Sequence, residues 1–201
     1  MNLTCADRPP ISGEDPVLNS NSEFTGLILL PLKIGNEWVY DYKNNQTGRA
    51  GLLTWKITGS SVVGGKTVFH LNQSLPVVGR EQTLLLANRN NVLYAYGEIS
   101  DSGVETIFSS PRIYLKYPVA DGESFVNWQG YTVEFVTAGK LIDTGAGAFS
   151  ALKYFLFEDS IRVGTLFWVI DIGPAIMKER SIDQNSFATL EISTLSSYTL
   201  N

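Results

Sequence analysis

One cysteine, one histidine and few charged residues limit what this 201-residue chain can do. A lone cysteine, Cys5, cannot close a disulfide within the chain, so the fold must rest on packing. A lone histidine, His70, is too little for a metal centre, which needs several His, Cys or carboxylate ligands brought together. No Gly-x-Ser-x-Gly elbow exists to offer His70 a nucleophile to activate. Lysine and arginine total 15 against 20 acidic residues and never form a run, for a net charge of −5. Neutralising nucleic-acid phosphate or an anionic membrane surface takes a basic patch, which argues against both partners. Long apolar runs are missing too. Leu27, Ile28, Leu29 and Leu30 stop at Pro31, far short of the roughly 20 residues of a membrane span.

Apolar residues are plentiful, at 44% against 17% charged, the balance of a chain that folds. Its length suits one domain with a substantial core. Residues 1–23 read as a flexible tether, punctuated by Pro9-Pro10, Ser12-Gly13 and the Asn/Ser run at 19–22. Residues 24–201 then form a single β-domain. A cysteine followed by such a linker is what remains when a lipoprotein signal is cut away, which makes Cys5 the candidate lipid attachment point. Asn2 stands where a lipobox has an apolar residue, and an incidental thiol is the plainer alternative.

From Glu37 onward the apolar period is two. Trp38, Tyr40 and Tyr42 alternate with Glu37, Val39 and Asp41, and Leu53, Trp55 and Ile57 alternate with Thr54, Lys56 and Thr58. Turn signals recur throughout: Gly64-Gly65, the Asn-rich 88–91, Asp101-Ser102-Gly103. Strands are expected at 66–72, 83–87, 92–98, 104–108, 125–128, 131–137, 149–157, 162–170, 176–182 and 188–198. Residues 111–117 are extended but less regular. Helical spacing is absent over any useful window. The expectation is all-β and antiparallel, with about 11 to 13 strands curved into an open barrel or half-barrel; a β-sandwich is the alternative.

An internal echo supports two degenerate repeats, over residues 31–110 and 118–201. Pro31, Gly35, Trp38 and Val39 recur at one constant offset as Pro118, Gly122, Phe125 and Val126. Proline ends the preceding segment, glycine turns, and the aromatic enters the core. Residues 55–59 face 135–139, and 93–96 face 166–169, more loosely. Chance likeness between short β-segments is the competing explanation.

These motifs carry a resemblance. The stretch from Pro31 to Tyr40, which fits PLxxGNxWVY, is followed by Gly147-Ala148-Phe149 and by Trp168 with Gly173, Lys178 and Glu179. With the closing Leu195-Ser196-Ser197-Tyr198, it resembles bacterial exported proteins and candidate lipoproteins of unknown function. The resemblance implies a β-rich fold and a place in the cell envelope, and no recorded chemistry. Pro174 and Asn2 depart from the pattern.

Neither a catalytic residue, a cofactor site nor a metal ligand is expected. Gly145 and Gly147 lack the third glycine and the βαβ setting of a dinucleotide site. Glu134, Glu158, Asp159, Asp171 and Glu179 read as solvated strand-face charges, Glu179 lying between Lys178 and Arg180. Four Trp, nine Tyr and ten Phe read first as core filling. A curved sheet can also leave a concavity, and Trp55, Trp128 and Trp168 are candidates for its lining. The expected function is that of a non-enzymatic envelope protein, periplasmic or anchored to the outer membrane and touching the membrane only through a lipid on Cys5. It would bind a lipid-like apolar ligand in the concavity or an envelope protein along a sheet edge. A carbohydrate-binding or glycoside-hydrolysing module, with open-groove aromatics and paired carboxylates, is one alternative. A purely structural scaffold is another.

Overall fold

The computed structural model describes residues 27–120, 123–181 and 189–201. Twelve strands follow one another: β1 (Glu37–Asn44), β2 (Ala50–Val63), β3 (Lys66–Leu75), β4 (Arg80–Arg89), β5 (Val92–Ile99) and β6 (Glu105–Lys116), then β7 (Ser124–Val126), β8 (Thr132–Thr144), β9 (Gly147–Glu158), β10 (Ile161–Val169), β11 (Gly173–Ser181) and β12 (Thr189–Thr199). A single 3-10 turn, Pro76–Val78, is the only helical piece among the described residues.

All twelve strands form one antiparallel sheet in the order β6-β5-β4-β3-β2-β1-β12-β11-β10-β9-β8-β7. Two meanders are therefore joined where the first strand pairs with the last, Trp38 opposite Tyr198. Two-residue turns at Gly64-Gly65, Asn90-Asn91 and Asp159-Ser160 all have positive φ at both positions. That backbone matches the twist of the strands it connects, and Asn and Gly adopt it at least cost.

Bulges curl the sheet. Register shifts fall at Ile57/Gly59, Ala95/Gly97, Phe135/Thr137, Arg162/Gly164 and Phe167/Trp168. At Gly97 a Cβ would lie 2.5 Å from the Thr106 carbonyl oxygen, so only glycine lets β5 bend that close to β6. The two free edges, β6 and β7, are brought face to face. Tyr114 of β6 stacks on Trp128 in the β7–β8 turn, with centroids 6.3 Å apart and 12° between planes. Arg112 Nη1 donates to the Trp128 carbonyl at 3.5 Å, Lys116 pairs with Glu123, and the Tyr154 hydroxyl donates across the lumen to the Lys116 carbonyl at 3.1 Å. The result is a nearly closed barrel, not a sandwich.

Period-two alternation delivers the core: Trp38, Tyr40, Tyr42, Leu53, Trp55, Ile57, Leu71, Leu84, Leu86, Tyr154 and Leu195 are buried. Val68, Leu85 and Tyr96 form a smaller cluster apart from it. The segment before β1 adds a plug. Leu29 and Leu30 are fully buried, and their carbonyls accept hydrogen bonds from Trp168 Nε1 (2.5 Å) and Asn88 Nδ2 (2.7 Å). Trp38 Nε1 donates to the Ile172 carbonyl at 2.7 Å. Asn36, almost wholly buried, donates to the Pro31 carbonyl and accepts from the Asn201 amide, both at 2.8 Å. The PLxxGNxWVY stretch is thus a structural latch.

One sequence expectation shifts. Residues 104–108 and 111–117 fall largely on one strand, β6, because Pro111 sits on an edge where a missing N–H costs no ladder bond. Trp38 and Phe125 each belong to the first strand of their meander, but residues 93–96 lie on the fifth strand of one and 166–169 on the fourth of the other, out of step. Residues 1–23 with Cys5, and Gly122, lie outside the described residues.

Candidate functional site

The inward-facing columns change character along the barrel. β1 runs from Trp38 to Asn44, β4 from Leu86 back through Gln82 to Arg80, β11 from Ala175 through Met177 to Glu179, and β12 from Leu195 back through Ser193 to Glu191. At the end holding Leu29 and Leu30 the apolar side chains fill the interior. At the other end the strand tips bear polar groups, and a cavity of about 130 Å³ opens among Trp55, Gln73, Arg80, Tyr114, Trp128 and the carboxylates. It leads to a recess of about 60 Å³ under Tyr114 and Trp128, and to a side opening of about 190 Å³ past Arg80, Tyr131 and Val163. Glu179 borders all three.

Glu179 and Glu191 are register partners on adjacent strands. Arg80 Nη2 lies 3.8 Å from Glu191 Oε2, and Asn44 Nδ2 donates to Glu191 Oε1 at 3.3 Å. Glu179 makes no hydrogen bond or ion pair among the described residues. Burial holds its carboxyl above the usual range; Arg80 counters this and the Glu191 charge adds to it. The carboxyl is walled by protein yet still meets water, because the cavity beside it is open. Tyr114 is pushed well up by burial, then by Glu179, with the Gln73 hydrogen bond opposing. Tyr131 rises by burial and by the charges of Glu158 and Glu179. The Tyr42 hydroxyl, buried and turned toward Glu191, is raised by burial first, and it has no hydrogen-bond partner of good geometry among the described residues.

A stability prediction follows from Glu179. With its folded-state value raised, the carboxyl favours the fold fully below its unfolded value of about 4.3 and loses that contribution as pH rises through the folded value. Glu179→Gln, neutral at every pH, is therefore expected to raise the melting temperature near pH 7. The gain should vanish near pH 4, where the two side chains are equivalent. Thermal melts at both pH values check this; a gain of equal size at both would trace the effect to packing instead of charge.

Two of the three candidate tryptophans meet at the site. Trp55, set edge-on to Tyr40 (5.6 Å, 61°), and Trp128 both line the cavity. Trp168 is fully buried, its indole engaged with Leu29 and its ring edge-on to Tyr114 at 6.2 Å. His70 Nε2 lies 2.9 Å from Ser61 Oγ, and no group of three or more His, Cys, Asp and Glu among the described residues is placed to hold a metal. Glu179, expected as a solvated strand-face charge, is exposed, and the phase Ala175–Met177–Glu179 sets it on the face that borders the cavity. Its partner Glu191 was passed over, although it stands in phase with Ser193 and Leu195, both inward.

No family model matches the chain, and no curated protein matches it by sequence. Two solved structures share its fold. One is a "putative lipoprotein" from Parabacteroides distasonis, 11% identical, with a TM-score of 0.53 over 86% of this chain and 99% of that one. The other is a "putative exported protein with YmcC-like fold" from Bacteroides fragilis, 12% identical, with a TM-score of 0.53 over 87% of this chain and 100% of that one. At such identities the likeness is one of fold.

Proposed function

We propose that this chain is an exported, envelope-located binding protein without catalysis of its own, whose ligand is a small polar molecule held at the polar end of the barrel. One observation carries the reading: the apolar reach of the lumen is occupied by Leu29, Leu30 and their neighbours, while the open reach mixes aromatic, amide and charged groups. An acyl chain needs a continuous apolar pocket, commonly about 300–1,000 Å³. The cavity at the polar end, about 130 Å³ and mixed in lining, suits a polar ligand of about one ring, packed on aromatic edges and hydrogen-bonded by Gln73, Gln82 and Ser193. Glu179 and Glu191 sit side by side on one wall. Glycoside hydrolysis places its two carboxyls on either side of the scissile bond, so their arrangement favours holding over cleaving. Envelope location, with a lipid on Cys5, is supported by the tether pattern and by the lipoprotein and exported-protein descriptions of the two proteins that share the fold.

A thermal-shift panel tests the ligand class. Monosaccharides and other small polar compounds are expected to stabilise the protein, by about 2.7 kcal/mol at 100 times Kd, and Trp128→Ala to abolish the shift. Stabilisation by fatty acids alone would reverse the reading, and no shift with either class would favour a scaffold. For the anchor, a palmitate analogue should label the native protein at Cys5; labelling that survives Cys5→Ser rejects it.

A further inference from the structure

One turn borders the cavity, the recess and the side opening at the polar end. Residues 127–131, between β7 and β8, set Trp128 and Gln129 on the cavity, Asn127 with them on the recess, and Tyr131 on the side opening. The turn is braced within itself. Asn127 is buried, and its Oδ1 accepts from the Gln129 amide at 3.1 Å and the Tyr131 amide at 2.9 Å. The Asn127 amide donates to the Tyr131 carbonyl at 2.9 Å, and the Gly130 amide to the Asn127 carbonyl at 3.0 Å. Bonds this dense make the turn a body that moves as one. Its hold on the wall across the seam is slight. β6 and β7 are the two ends of the sheet, so no ladder joins them. Among the described residues the turn reaches β6 through the Tyr114–Trp128 stack and through Arg112 Nη1, 3.5 Å from the Trp128 carbonyl. A hydrogen bond that long, from an exposed arginine, is weak.

Resting on the polar-ligand reading above, we infer that this turn is the lid of the polar cavity. It swings on Val126 and Thr132, parts Trp128 from Tyr114 to let the ligand in, and closes once the ligand is seated. Tyr114 and Trp128 each line both the cavity and the recess, so parting them joins the two spaces. The walls on either side stay in place. Arg112 and Ile113 of β6 pair with Ala95 and Tyr94 of β5, and Thr132 of β8 pairs with Phe157 of β9. Lifting the turn breaks one ring stack and one long hydrogen bond, which holds the open form to a minor population, on the order of a few per cent. Arg112 keeps a seat when the turn leaves, because its guanidinium already lies 4.1 Å from the centre of the Phe108 ring.

The test is NMR on the full chain with no ligand added. Relaxation dispersion is expected to show microsecond-to-millisecond exchange at the Trp128 indole N–H. The Trp38 and Trp168 indoles, hydrogen-bonded within the plug, should show none and serve as internal controls. Opening itself is read at the Met177 methyl, which lines both the cavity and the recess, from its broadening by the small neutral nitroxide TEMPOL. Arg112→Ala removes the hydrogen bond of the latch at an exposed position and should raise both the Trp128 exchange and the Met177 broadening about two- to tenfold. A Trp128 indole as still as that of Trp38 overturns the lid. So does an exchanging Trp128 with Met177 no better reached in Arg112→Ala than in the unsubstituted protein, since the turn would then move without opening the cavity. Either outcome leaves the polar-ligand reading standing, because that reading is decided by the thermal-shift panel. The dispersion measurement needs no variant, so its result does not depend on how Arg112→Ala folds.

Discussion

Trp168→Ala is expected to lower the unfolding free energy by about 3–5 kcal/mol, and Trp168→Phe by about 1–3 kcal/mol. Trp168 is fully buried, so alanine loses the transfer free energy of the whole indole and leaves a cavity between the plug and Tyr114. Phenylalanine keeps most of the volume. What it removes is the donor to the Leu29 carbonyl, a bond of 2.5 Å between residues 139 positions apart. That carbonyl belongs to a fully buried residue, so the loss approaches a full desolvation penalty. Urea unfolding followed by circular dichroism separates the two terms, because Trp168 is itself a fluorophore. Equal losses for both variants would assign nearly all of the effect to the hydrogen bond. Trp128→Ala, at a partly exposed turn position, should cost clearly less than either fully buried indole, which marks the difference between a tryptophan that holds the barrel and one that lines its mouth.

That difference was not legible in the sequence, for a physical reason. Trp55 and Trp168 fall in alternating strand patterns and Trp128 stands beside the Gln129-Gly130 turn, but local pattern reports only that an aromatic meets some apolar surface. Whether a ring faces filled core or open cavity depends on what arrives from elsewhere in the chain. For Trp168 it is Leu29, read in the sequence merely as part of an apolar run ended by Pro31. By contrast, Trp38, Tyr40 and Tyr42 declared themselves, since a strand with one face buried repeats every second residue, and all three are buried as expected. The Gly64-Gly65 and Asn90-Asn91 turns were legible because positive φ selects residue type. Bulges were not, since an extra residue at Ile57/Gly59 or Phe167/Trp168 leaves a composition that also fits an unbroken strand. Lys178-Glu179-Arg180 alternates in charge like any solvated strand, and Glu179 is exposed, but the pattern does not say which opening it borders. Only the inward phase set at Ala175 and Met177 decides its direction, and only the pairing of β11 with β12 puts Glu191 beside it.

A double-mutant cycle between Leu30 and Gly173 tests whether the plug is packed against β11 as tightly as the geometry requires. Gly173 has φ +119°, a backbone region that costs an L-residue about 1–3 kcal/mol. A Cβ there would also lie 2.6 Å from Leu30 Cδ1 and 3.7 Å from Trp38 Nε1. Gly173→Ala should therefore destabilise by backbone strain and by overpacking together, the second term adding about 1–3 kcal/mol. Leu30→Ala alone, at a fully buried site, should cost about 2–5 kcal/mol. In the double variant the space left by the shortened residue 30 accepts the new methyl group, so the overpacking term disappears while the strain stays. The pair should then cost less than the sum of its singles by about 1 kcal/mol or more. Strict additivity would mean that Leu30 moves aside freely, and hence that the apolar reach of the lumen is loose enough to yield to a ligand. The predicted coupling says that it is closed by close packing, which is why binding is assigned to the polar end.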